Sequence, residues 1–79
     1  MKVFGKYIKN MRLSKNMSLS ELSKITNISV STLWSIENNK VKNIKNIFIY
    51  RLAKAFNVDY ENLLRKRWEL FPVFFYGGK

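Results

Sequence analysis

The amino-acid sequence predicts an all-α domain of five short helices followed by a short aromatic C-terminal tail. Three observations predict it. Apolar residues recur at helical spacing, as in Phe4, Ile8 and Met11, or Leu33 and Ile36. Residues that start helices (Ser18, Ser29, Asp59) and asparagines that end them (Asn27, Asn38-Asn39, Asn57) stand between those segments. No stretch before the tail alternates apolar and polar residues as a strand would.

The first helix is expected over about residues 3–15, with Phe4, Ile8, Met11 and Leu13 as its apolar set and Asn16-Met17 as a tight connection. Ser18-Leu19-Ser20-Glu21 is a capping box, in which the Ser18 hydroxyl and the Glu21 carboxylate each satisfy the other residue's backbone N–H. A second helix therefore starts at Leu19, with Leu22 and either Ile25 or Thr26 inward. Asn27 ends it, because asparagine tolerates the left-handed conformation. Ser29 caps a third helix that turns Leu33 and Ile36 inward and stops near Asn38-Asn39. After a basic loop, Asn46 or Asn43 caps a fourth helix through Ile47, Ile49, Leu52, Ala53 and Phe56. Asp59 caps a fifth, with Leu63 and Leu64 inward.

Composition narrows the function. A chain of 79 residues makes one small domain, which buries only about 60% of the surface its unfolded form exposes. It divides into residues 1–67, the helical domain, and residues 68–79, the tail. With no cysteine and no histidine, the commonest nucleophile–base pairs and the commonest metal ligands are missing. Asp59 and Glu61 alone make no acid–base site, so no enzyme, metal or cofactor is expected. Fifteen Lys+Arg against five Asp+Glu leave a net charge of +10, which favours a polyanionic partner, nucleic acid first. Up to Lys54 the only acids are Glu21 and Glu37. The start of the chain does not read as a signal peptide. The longest apolar run, Phe71 to Tyr76, contains Pro72 and falls far short of the roughly 20 residues a membrane span needs. A cytoplasmic protein with no membrane partner is expected.

Two short helices joined by a three- or four-residue turn form a helix-turn-helix unit. Such a unit needs a small residue where the helices cross, a residue tolerant of positive φ in the turn, and apolar anchors on the second helix. Ser23, Asn27, and Leu33 with Ile36 meet these needs in order.

From Ile8 to Leu64 the chain resembles the lambda-repressor-like (XRE/Cro-type) helix-turn-helix proteins. The likeness is carried by Ile8-Lys9-Asn10-Met11-Arg12, Met17-Ser18-Leu19-Ser20-Glu21-Leu22-Ser23, the run from Ile28 to Asn38, and Leu52-Ala53-Lys54-Ala55-Phe56-Asn57-Val58. The resemblance implies a five-helix domain that binds double-stranded DNA as a homodimer on a two-fold operator, usually as a transcriptional repressor. It would insert the helix from about Ser29 to Asn38 into the major groove. It also implies an ion pair between Arg12 and Glu37 that locks this helix onto the first.

By helical geometry and the family pattern together, the base-reading set is Val30, Ser31, Trp34 and Ser35. Phosphate contacts fall to Ser18, Leu19, Ser29, Thr32, Asn38, Lys40, Lys42 and Lys45. No arginine, glutamine or asparagine stands in the reading set, so an A·T-biased site with modest direct readout is expected, aided by DNA shape. Trp34 has two readings: contact with the sugar-phosphate wall or a thymine methyl, or packing against the basic loop or a dimer partner. The chain departs from the family pattern with Leu19 where glutamine is frequent, Asn27 and Asn39 where glycine is usual, and Thr26 where an aliphatic is usual.

The tail has three readings. Trp68, Phe71, Phe74, Phe75 and Tyr76 cover the small core, join two copies of the chain, or bind another protein. In the rival to the DNA-binding reading, the tail makes the chain a protein-interaction module with the helix-turn-helix as scaffold.

Overall fold

Five helices and no strand occur among the residues described by the computed structural model, 3–41 and 43–68. They are α1 (Val3–Ser14), α2 (Leu19–Thr26), α3 (Val30–Glu37), α4 (Asn46–Phe56) and α5 (Tyr60–Trp68). The α1 helix packs on α3 and α5, α2 packs on α3 and α4, and α4 packs on α5. Phe4, Ile8, Leu22, Ile28, Leu33, Ile36, Ile49, Leu52, Ala53, Phe56 and Leu63 form a single buried core.

Local chemistry sets the helix ends. The Ser18 hydroxyl accepts from the Glu21 N–H at 3.0 Å, and the Glu21 carboxylate accepts from the Ser18 N–H at 2.8 Å. The α2 helix ends at Asn27, whose φ of 60° and ψ of 32° are left-handed. Asn16, Asn39 and Asn57 also have positive φ, so four asparagines hold the turns that glycine would otherwise hold. The Asp59 carboxylate accepts from the Asn62 N–H at 3.2 Å at the start of α5.

Packing departs from the sequence expectation at several positions. Leu13 is half exposed, because the buried stripe of α1 runs through Phe4, Ile8 and Arg12, four residues apart each time. Of the two residues expected inward at the end of α2, Thr26 is the buried one, as one of the alternatives had it; its hydroxyl donates to the Leu22 carbonyl at 2.7 Å and accepts from the Ile28 N–H at 3.2 Å. A buried hydroxyl with both roles filled costs little, and it satisfies a turn amide as well. Ile47 is exposed: Ile49, Leu52, Ala53 and Phe56 define the inner face of α4, and two residues earlier lies on the other side. Neither Asn46 nor Asn43 caps α4. Lys45 does so by its extended backbone alone, and its carbonyl accepts from Phe48 and Ile49. Leu64 packs at the margin of the core rather than inside it.

Candidate nucleic-acid interface

The link Asn27-Ile28-Ser29 joins α2 to α3, and Ile28 is buried beneath it. Ser29 starts α3 by accepting from the Thr32 N–H at 3.2 Å, while its own hydroxyl proton goes to Thr32 Oγ1 at 2.8 Å. With Leu33, Ile36 and Glu37 buried, the outer face of α3 carries Val30, Ser31 and Trp34, with Ser35 half-buried beside them. Val30 and Trp34 are 42% and 49% exposed and lie four residues apart, so they form one ridge along the helix. Asn38 stands at the end of that face, but its side-chain amide donates to the Trp34 carbonyl at 2.8 Å.

The two helix starts present different surfaces. At α2 the capping box uses the Glu21 N–H, which leaves the first amides, those of Leu19 and Ser20, directed out of the helix end. The Leu19 side chain packs against the core, so this residue can meet a phosphate only through its backbone. Ser18 and Ser29 are exposed and Thr32 is half-buried; the hydroxyls of Ser18 and Ser29 are engaged as caps. Lys40 and Lys45 are exposed on the loop after α3, whereas Lys42 lies outside the described residues. No described acid shares this loop, which leaves a basic rim beside the uncharged ridge.

Arg12 and Glu37 meet from α1 and α3. Arg12 Nε donates to Glu37 Oε2 at 2.7 Å and Nη2 donates to Oε1 at 3.1 Å, a two-point contact between side chains only 10% and 3% exposed. The remaining Nη1 donates to the Met17 carbonyl at 2.8 Å, which ties the α1–α2 connection into the same cluster. The hydrogen bonding of the Arg12 guanidinium to the accepting Glu37 carboxylate raises the Arg12 pKa above the ordinary arginine value against the opposing effect of burial, and the carboxylate charge adds to the rise.

Gly5 is a support residue that the sequence reading did not single out. A Cβ there would lie 2.6 Å from the carbonyl oxygens of both Ile36 and Glu37, and 2.8 Å from Asn39 Nδ2. The backbones of α1 and α3 therefore approach as closely as glycine alone permits. A glycine inside an apolar helical pattern is the signal that could have found it, since such a residue costs about 1 kcal/mol relative to alanine unless something repays it. The tail residues Phe71, Phe74, Phe75 and Tyr76, and the side chain of Trp68, lie outside the described residues.

Comparisons with known proteins agree with this geometry. A family model described as helix-turn-helix matches residues 8–63. The uncharacterized HTH-type transcriptional regulator RghRB of Bacillus subtilis (strain 168) is 33% identical over 64 residues, 81% of this chain but only 46% of that protein. The chain thus spans about half the length of this relative. SinR, the master regulator for biofilm formation, solved in complex with DNA, is 34% identical at a TM-score of 0.71, covering 77% of this chain and 97% of that one. The N-terminal DNA-binding domain of SinR from Bacillus subtilis is 33% identical at a TM-score of 0.73, covering 81% and 93%. A capped helix pair, an α3 anchored on α1, and these matches over most of the chain agree, and this chain belongs to the lambda-repressor-like helix-turn-helix family.

Proposed function

We propose that the chain is a sequence-specific double-stranded-DNA-binding transcriptional regulator, a homodimeric repressor that lays α3 in the major groove. The observation that carries this reading is the likeness to SinR solved with DNA, which extends over 97% of that chain. The outer face of α3 supplies the base contacts, through Val30, Ser31, Trp34 and Ser35. The start of α2, the start of α3, Asn38, Lys40, Lys42 and Lys45 hold the phosphates on either side. Arg12 and Glu37 keep α3 at a fixed angle to the rest of the domain. The protein acts by binding, with no catalysis and no cofactor, in the cytoplasm. Among the described residues no helix is long and apolar enough to cross a membrane.

Selection of duplexes from a random pool, followed by titration at several salt concentrations, tests the reading. A selected duplex should be bound with a steep salt dependence. Lys45→Ala should weaken all duplexes alike and flatten the slope of log K against log salt by about 1. A chain that binds no duplex even at low salt is not this kind of regulator. Repression is tested by placing the selected duplex across a promoter and measuring transcription with and without the protein.

A second reading, a protein-interaction module, has one observation in its favour. SinR has also been solved in complex with SinI, in a chain 32% identical to this one at a TM-score of 0.74, with 86% of this chain and 66% of that one covered. Mass measurement of the full chain and of a chain lacking residues 68–79 separates tail-driven dimerisation from other roles. A dimer that persists without the tail excludes the tail as its cause.

A further inference from the structure

We infer that α3 discriminates bases chiefly through the 5-methyl groups of pyrimidines in the major groove, by way of the Val30–Trp34 ridge. Removing thymine methyls should therefore weaken binding, and methylating cytosine at the same positions should strengthen it. The inference rests on the DNA-binding reading.

The chemistry of the exposed face leads there. Side chains that read a base edge with two hydrogen bonds are arginine, lysine, glutamine and asparagine. α3 contains none of them. Glu37, its only charged residue, is 6% exposed and held in two hydrogen bonds by Arg12. Asn38, just beyond the helix, gives its amide to the Trp34 carbonyl at 2.8 Å. The Ser29 hydroxyl is donor and acceptor within the helix cap, with Ser31 Oγ 3.4 Å away. The large exposed side chains of α3 are apolar: a valine and an indole, both near half exposed and four residues apart on one ridge.

The floor of the major groove offers hydrogen-bonding groups at every base pair and one apolar group, the C5 methyl of thymine or of 5-methylcytosine. An apolar ridge pressed on bare amino or carbonyl groups would take them from water and return nothing, which carries a cost. Pressed on a methyl, the same ridge gains about the burial of one methyl group, a factor of about fourfold in affinity at each contacted base. Both effects favour methylated pyrimidines under Val30 and Trp34. The hydroxyls of Ser31 and Ser35 remain for neighbouring edges, directly or through water.

The test uses the full chain and the duplex it enriches from a random pool. Each thymine is replaced in turn by deoxyuridine, which removes only the methyl. At the same positions C·G is compared with 5-methyl-C·G, which adds only the methyl. The expected result is about a fourfold loss for deoxyuridine at two or more positions per half-site, and a gain of similar size on methylation. A methyl also alters the shape of DNA, so the exchange is repeated with Val30→Ala and Trp34→Ala, after circular dichroism shows that both variants fold. The penalty should shrink in one variant or the other, position by position. Selective binding that is indifferent to deoxyuridine at every position would overturn the inference, as would a penalty unchanged in both variants. Failure to enrich any duplex would overturn the DNA-binding reading, and the methyl contact with it.

Discussion

The Arg12–Glu37 pair can be tested by one conservative change, Glu37→Gln. The substitution keeps the shape of the side chain and replaces one carboxylate oxygen with an NH2 group. In the native arrangement Arg12 Nε and Nη2 each donate to a separate oxygen, at 2.7 and 3.1 Å, while Nη1 is committed to the Met17 carbonyl. Glutamine can accept one of the two bonds; the other becomes a donor facing a donor. The guanidinium then keeps its charge without its counter-ion, at a site where the side chains are 10% and 3% exposed. Breaking one side of a buried pair costs about 3–5 kcal/mol, and solvent screening is weak at this depth. For a domain of this size each kcal/mol corresponds to roughly 4–8 °C, so the melting temperature should fall by about 12 °C or more. Thermal melting followed by circular dichroism, with urea titration as a check on the slope, measures this. The double substitution Arg12→Met, Glu37→Leu should recover most of the loss, because it leaves no charge in the site. A Glu37→Gln variant within about 0.5 kcal/mol of the parent would refute the reasoning, and would class the two residues with ordinary surface charges.

Three further outcomes follow from the same structure. Gly5→Ala should destabilise by about 1–3 kcal/mol, since its Cβ meets two main-chain oxygens of α3 that cannot move aside; an unchanged urea midpoint would show that α1 can shift freely. Asn27→Ala should lose about 1 kcal/mol because alanine resists a φ of 60°, while Asn27→Gly should be neutral or better, and equal melts for the two would contradict the left-handed cap. The raised pKa of Arg12 makes its contribution fully present below the ordinary arginine range and lost only as pH climbs through the folded value. Since the chain has no histidine, its melting temperature should stay level between about pH 6 and pH 9, and a marked drop inside that window would point to a titrating group in the core.

The placement of the residues proposed to read bases and to hold phosphates was legible to different degrees. The outward face of α3 follows from where Leu33 and Ile36 point, so the exposure of Ser31 and Trp34 follows from spacing and that of Val30 from its place at the helix start. The expectation that this face reads bases came from the family resemblance. Lys40 and Lys45 could be placed after α3, yet not how the loop holds them; Lys45 turned out to begin α4 through its backbone. The engagement of Asn38 with its own helix was not legible. Asparagine at a helix end can turn inward to a carbonyl or outward to a ligand, and both are local bonds of similar energy.

What the amino-acid order determined by itself was the sequence of helices and their ends. The Ser18–Glu21 box, the Ser29 and Asp59 caps and the asparagine stops are interactions across three or four residues, which form in any context that leaves the segment helical. Tertiary structure decided which near neighbour faced inward: Arg12 over Leu13, Thr26 over Ile25, and Ile49 over Ile47. Adjacent residues differ by only a fraction of a turn, and a broad apolar stripe does not say where a partner helix will lie. Tertiary structure also revealed the approach of α1 to α3 at Gly5, and it alone put a distance on the Arg12–Glu37 contact, 25 residues apart in the chain. Such contacts depend on the angle between two helices, a property of the assembled core that no segment carries alone.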